Sequence, residues 1–246
     1  FQTPYSLDKL DTSYFLPFKA SNEVPKKILI VGSGTGNDTA AAISSGVESI
    51  DAVEIDPVII DLGKYHPNKP YEDQKVNVIK NDARNFIRHT NEKYDLILYG
   101  LLDSHTSLSS NGGIRLDSYV YTVQAFEEAK KKLTKDGYIS LTFGVASKKL
   151  GIKIFRMLKK AFNDKDPTVY MYVPGAEKLD DKFFVDGDLY KKNFIEAKYT
   201  FLISNNANKV FRFNDQSDIA KVNFFDNDEI KVSLSNDDWP FFYMPV

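Results

Sequence analysis

The chain of 246 residues has no cysteine, three histidines, one tryptophan and a formal net charge of only −2. Without cysteine there are no disulfides, no thiolate metal sites and no cysteine nucleophile, and the redox compartment stays open. Three histidines make a histidine-rich metal centre a poor expectation, so no metal ligands are assigned. The near balance of 32 basic and 34 acidic residues lacks the basic excess that marks nucleic-acid binding, and no nucleic-acid partner is expected. No run approaches the eighteen or so apolar residues of a membrane span, and no charged-then-apolar leader marks a signal peptide. What is present is 42% hydrophobic content, enough for one globular domain with a substantial core.

Three stretches differ in character. Residues 1–25 carry Pro4, Pro17 and Pro25 among aromatics and predict an irregular lead-in packed on the domain. Residues 26–204 alternate strand and helix patterns, and residues 205–246 form an Asn/Asp-rich tail with short apolar clusters, predicted to pack on the domain. The chain opens at Phe1 without methionine and closes on apolar residues, which suggests a piece of something longer.

Strands are predicted at Lys27–Val31, Ser49–Glu54, 75–80, Tyr94–Tyr99, 138–143, 169–173 and Lys198–Ser204. Helices are predicted from Asn37, Pro57 and Ala83, and over 121–133 and Lys148–Ala161. This alternation predicts an α/β fold: a doubly wound, mostly parallel, seven-stranded Rossmann-like sheet closed by a late antiparallel strand.

The most informative unit is Lys27-Ile-Leu-Ile-Val-Gly-Ser-Gly-Thr-Gly-Asn37 followed by a small-residue helix and a second apolar strand ending in Glu54. A buried strand turns at Gly32, Gly34 and Gly36 into a helix whose first N–H groups lie open to a ligand. Glu54 follows the glycines at the distance where a carboxylate accepts hydrogen bonds from ribose hydroxyls. A nucleoside cofactor is the expectation. Asn37 stands where a dinucleotide fingerprint has its third glycine, so the spacing is G-x-G-x-G and no pyrophosphate need fit. That spacing resembles the class I S-adenosylmethionine-dependent transferases.

Ligands of open α/β sheets bind beyond the carboxyl ends of the strands. The candidates there are Gly32, Ser33, Gly34, Thr35 and Gly36 after the first strand, Glu54 and Ile55 after the second, Asp82 and Ala83 after the third, and Gly100 after the fourth. Asp82 reads equally as a helix N-cap, and Arg84 reads as a salt-bridged helix residue. The long loop 100–120 concentrates Asp103, His105, Arg115, Asp117 and Tyr119, with Tyr121 just beyond. Long loops in compact domains tend to be functional. Asp103 is the leading candidate for base or amine anchor, with His105 and Tyr119 in reserve.

Several segments resemble the spermidine synthase-like family on the class I methyltransferase fold. They are Val31-Gly-Ser-Gly-Thr-Gly-Asn37, Ala52-Val-Glu-Ile-Asp-Pro57, Asn81-Asp-Ala-Arg84, Tyr94-Asp-Leu-Ile-Leu98, Gly100-Leu-Leu-Asp-Ser-His-Thr106, Arg115-Leu-Asp-Ser-Tyr-Val-Tyr-Thr122 and Asp237-Asp-Trp-Pro-Phe241. The last three look like a bacterial branch in which the domain is attached to membrane segments. The resemblance implies a cytoplasmic protein, or the cytoplasmic part of a membrane protein, and a homodimer. It also implies that the glycine loop and Glu54 hold the adenosyl group, Asp82 and Ala83 face adenine, and the loop after the fourth strand faces an amine.

Two departures stand out: Thr35 and Gly100 occupy positions where spermidine synthases carry Asp. Without those acids a cationic aminopropyl tail loses a counter-charge and an attacking amine loses its base, which makes intact S-adenosylmethionine as fitting as the decarboxylated form. Four readings follow. The first is methyl-type transfer from S-adenosylmethionine to a small-molecule acceptor, and the second is aminopropyl transfer from the decarboxylated form to a polyamine precursor. A catalytically silent nucleoside-binding module is the third, and a dehydrogenase is the outlier. A Gly100→Asp variant that gained spermidine formation would identify the missing base.

Overall fold

The computed structural model describes residues 3–100, 116–144, 148–173, 197–213, 218–223 and 229–242. A short 3-10 turn and helix α1 (Thr12–Lys19) precede β1 (Lys27–Val31), α2 (Asn37–Ser44), β2 (Ser49–Glu54) and α3 (Pro57–Gly63). Then come β3 (Val76–Lys80), α4 (Ala83–His89), β4 (Tyr94–Tyr99), α5 (Val123–Lys130), β5 (Leu133–Gly144) and α6 (Lys148–Ala161). The chain finishes with β6 (Thr168–Tyr172), β7 (Lys198–Ser204) and β8 (Ile219–Val222).

The strands form one sheet in the order β3-β2-β1-β4-β5-β7-β6-β8. The first five in that order run parallel, with Val31 opposite Val53 on one side and Tyr99 on the other. The last three are joined by antiparallel pairings. Strand order reverses beside β1, so the crevice between β1 and β4 is the place where this architecture receives ligands.

Alternation within the strands builds two cores. Leu29, Val31, Ile97, Tyr99, Ile139 and Leu141 point toward α4, α5 and α6. Ile28, Ile30, Ile50, Ala52, Leu96 and Leu98 point toward α1 and α2. Helix α2 lies close to the sheet because Ala40, Ala41 and Ala42 are all buried.

Three expectations need correction. Among the described residues the sheet has eight strands, not seven, because Ile219–Val222 of the tail adds an antiparallel edge to β6. The lead-in is not irregular: Asp11 caps α1 by accepting from the Ser13 N–H, and Pro17 sits within that helix while Leu16 and Phe18 bury. The helix predicted over 121–133 is shorter, since Thr122 accepts from the Ala125 N–H and so starts α5 at Val123. No helix among the described residues is long and apolar enough to cross a membrane.

Candidate active site

The turn after β1 is held in left-handed backbone at three glycines, with φ of 69° at Gly32, 58° at Gly34 and 102° at Gly36. At Gly36 a side chain would also strike the Pro70 ring, 2.6 Å from an ideal Cβ. Glu54, buried at the end of β2, reaches across this turn. Its Oε2 accepts the Gly34 N–H at 2.9 Å, and its Oε1 accepts the N–H groups of Ile55 and Asp56 at 2.9 and 3.0 Å. A carboxylate offers about four lone-pair positions, so one remains on Oε2 beside the turn. The acid thus shapes the glycine loop and keeps one open position on Oε2 beside it.

Two residues that sequence reasoning missed brace the turn. The Tyr71 hydroxyl donates to the Gly34 carbonyl at 2.6 Å and lies 2.9 Å from the Ser33 hydroxyl. Its ring fills the space over Gly63, where an added Cβ would stand 2.4 Å away. Burial pushes the Tyr71 phenol well above its ordinary pKa, so it stays a neutral donor. His66, also buried, places Nε2 3.1 Å from Asn37 Oδ1 while its Nδ1 accepts the Asn68 N–H at 3.1 Å. Asn37 accepts the Tyr5 N–H and donates to the Thr3 carbonyl. The residue that replaces a third glycine is therefore a buckle between the lead-in, α2 and His66. No sequence pattern pointed to either brace, because each acts through a fold contact.

The other strand ends divide. Asp82 caps α4, its Oδ1 accepting the Asn85 N–H at 2.7 Å, and Ala83 is buried behind it. Ile55 is half exposed beside Glu54 and presents an apolar face. Thr35 is fully buried. Arg84 is salt-bridged as expected: its guanidinium contacts Glu128 Oε2 at 2.9 Å and Asp237 Oδ2 at 2.6 Å, and donates to the Tyr119 carbonyl at 3.1 Å. Tyr119 has an exposed ring, and its carbonyl accepts from Arg84. Tyr121 is a core residue stacked on Phe242. Asp103, His105 and Arg115 lie outside the described residues.

Gly100 lies against the side chain of Asp38. A Cβ built there would stand 2.4 Å from Oδ2 and 3.0 Å from Cγ of Asp38. A side chain at 100 therefore requires the Asp38 carboxylate to move, so the Gly100→Asp test of the missing base also displaces that acid. A cavity of about 350 Å³ lined by Ile60, Gly63, Tyr71 and Val78 shares Tyr71 with the turn but includes neither Glu54 nor Gly100. The strand-end crevice remains the better place for a ligand.

Residues 17–187 match the spermine/spermidine synthase domain. The chain belongs to this family. It is 28% identical over 165 residues to the polyamine aminopropyltransferase of Korarchaeum cryptofilum, covering 64% of this chain and 48% of that protein. With the polyamine aminopropyltransferase of Saccharolobus solfataricus the identity is 25% over 221 residues, covering 86% and 65%. The chain thus spans about half to two thirds of the length of these curated relatives. Among solved structures, spermidine synthase from Thermotoga maritima aligns over 92% of this chain and 66% of its own, with a TM-score of 0.52 at 16% identity. Human methyltransferase-like protein 13 in complex with SAH aligns over 80% of each chain, with a TM-score of 0.52 at 17% identity. Both share the fold. In this family frame the glycine turn, Glu54 and the β4 end all fall inside the matched domain.

Proposed function

We propose that the chain is a transferase that moves the aminopropyl group of decarboxylated S-adenosylmethionine to a small primary amine. The carrying observation is the Glu54 carboxylate bridging to Gly34, which sets an acid and a helix N-terminus side by side at the carboxyl ends of β2 and β1, next to the crevice between β1 and β4. The family match and the polyamine aminopropyltransferase relatives favour aminopropyl over methyl transfer.

The residues fit an adenosyl ligand in three ways. The left-handed glycines allow close approach of a ligand to the backbone. The free lone pair of Glu54 Oε2 suits a ribose hydroxyl, and the half-exposed Ile55 offers an apolar face to a purine. The sulfonium compound, when bound, supplies an activated carbon, so the chain's own task is alignment and proton uptake from the amine. Asp103 is the proposed proton acceptor or amine anchor, with His105 and Tyr119 in reserve. Methyl transfer from intact S-adenosylmethionine is the second reading, favoured by the neutral Thr35 in the turn.

Calorimetric titration with methylthioadenosine, decarboxylated S-adenosylmethionine and S-adenosylmethionine separates these readings. The decarboxylated ligand should bind at least about tenfold more tightly than the intact one, and with putrescine it should yield spermidine. Glu54→Ala should weaken all three ligands about equally. Preference for the intact ligand together with a methylated product would replace the first reading by the second.

A further inference from the structure

Asp38, the second residue of α2, is only 6% exposed although it opens a helix at a ligand-binding edge. Its carboxylate occupies the volume that a side chain at residue 100 would fill, 2.4 Å from that ideal Cβ. The position is therefore defined by two elements: α2 begins directly after Gly36, and Gly100 directly follows β4, which pairs with β1. An acid in a helix's first turn is ordinarily a solvated partner of the dipole. Here the fold has buried it instead.

We propose that Asp38 is the anion of the amine-binding end of the site, delivered by α2 to the end of β4 to pair with a primary alkylammonium group. The assignment rests on the reading above that an adenosyl sulfonium compound docks at the glycine turn. It names the specificity residue that Thr35 and Gly100 leave unsupplied.

Three observations support it. A buried carboxylate is costly unless a cation or donors accompany it, and burial pushes Asp38 up to about 6 against the pull of Lys198. Lys198 is itself in ion-pair contact with Asp11, and among the described residues no lysine or arginine forms an ion pair with Asp38. Glu54 is engaged by three backbone N–H groups, and on the adenosyl reading its remaining position goes to a ribose hydroxyl. The Asp38 carboxylate accepts from its own backbone N–H, and an arriving ammonium would supply the cation. The carboxylate of an intact methionine tail would instead meet Asp38 as a like charge.

Two variants test the assignment, Asp38→Asn, which keeps shape and removes charge, and Gly100→Ala, whose Cβ displaces the carboxylate. Each should lose about tenfold or more in affinity for decarboxylated S-adenosylmethionine. Methylthioadenosine, which has the nucleoside without the amine, should bind as to wild type. If donor affinity is unchanged but the KM for putrescine rises by about as much, the ammonium recognised is the acceptor's. Both patterns support the assignment and tell its two sources apart.

Asp38→Asn that binds both amines as wild type does overturns the assignment alone, as does an equal loss of methylthioadenosine. Wild type that binds none of these ligands overturns the adenosyl reading and the assignment together. Should Asp38→Asn fail to fold, wild-type affinities decide: amine binding should fall between pH 7.5 and pH 5 while methylthioadenosine binding stays level. Lys198, Asp11 and Tyr71 are the groups whose fields meet Asp38, and an invariant amine affinity across that range overturns the assignment.

Discussion

Glu128 and Asp237 share Arg84 between them, whereas Asp38 shares no lysine or arginine among the described residues. Around Arg84 every charge is answered. Burial would raise the Glu128 carboxyl, but hydrogen bonds from Arg84 and Arg88 outweigh it and hold the group below its ordinary value. Hydrogen bonding from Arg84 does the same for Asp237, which also accepts from the Thr122 hydroxyl at 2.8 Å. Beside Gly100 burial dominates and the acid is pushed up. Paired acids close a structure, since Asp237 fastens the tail onto α4 and α5. An acid left without its cation at a crevice marks a place where a ligand completes the balance.

Substitutions that remove one charge from each region should act with opposite sign. Arg84→Met leaves Glu128 to Arg88 and Asp237 to the Thr122 hydroxyl, and should destabilise the fold by about 3 kcal/mol, the low end for a broken buried pair because both acids are partly exposed and keep one partner. Urea unfolding reads this directly, and a change below about 1 kcal/mol would place the pair among surface bridges. Asp38→Asn should instead stabilise the ligand-free chain at pH 7.5 by roughly 2 kcal/mol, because ionising this buried acid costs folding energy. Its folded pKa lies above the unfolded value of 3.8, so the wild type is relieved of that cost below the unfolded pKa and bears it as pH rises through about 6. The advantage of the variant should therefore vanish near pH 4.

His66 sharpens the comparison with a smaller effect of the other pH sense. Burial lowers its pKa, so the neutral ring is what the fold accommodates. Its stabilisation is present above the unfolded value near 6.5 and is lost as pH falls below it. The urea midpoint of Asp38→Asn, freed from the opposing acid, should decline between pH 7 and pH 5. Adding His66→Gln should flatten that decline, and an unchanged slope would assign it to other groups.

Much of the site was legible from local signals. Apolar runs placed β1, β2, β4 and β7 at their observed bounds, because a strand buried on both faces needs a nearly continuous hydrophobic stretch. The glycine spacing located the turn, and the acid after it located Glu54. Asp82 as a cap was equally readable, since Asp before a helix satisfies its first N–H groups. The tail strand β8 was missed because a four-residue edge strand carries too little periodicity to be seen. Helix α1 was missed because Pro17 reads as a breaker, yet its buried Leu16 and Phe18 hold the segment helical through packing.

Taken alone, the order of residues determined the alternating α/β pattern, the strand–turn–helix unit and the family resemblance, because each is written in neighbours a few positions apart. Only the tertiary structure decided that Glu54 shapes the turn, that Arg84 meets Asp237 across 153 positions, and that Asp38 fills the space left by Gly100. Burial and pairing belong to groups that meet after the chain has folded, and an acid's charge acquires its meaning from those meetings.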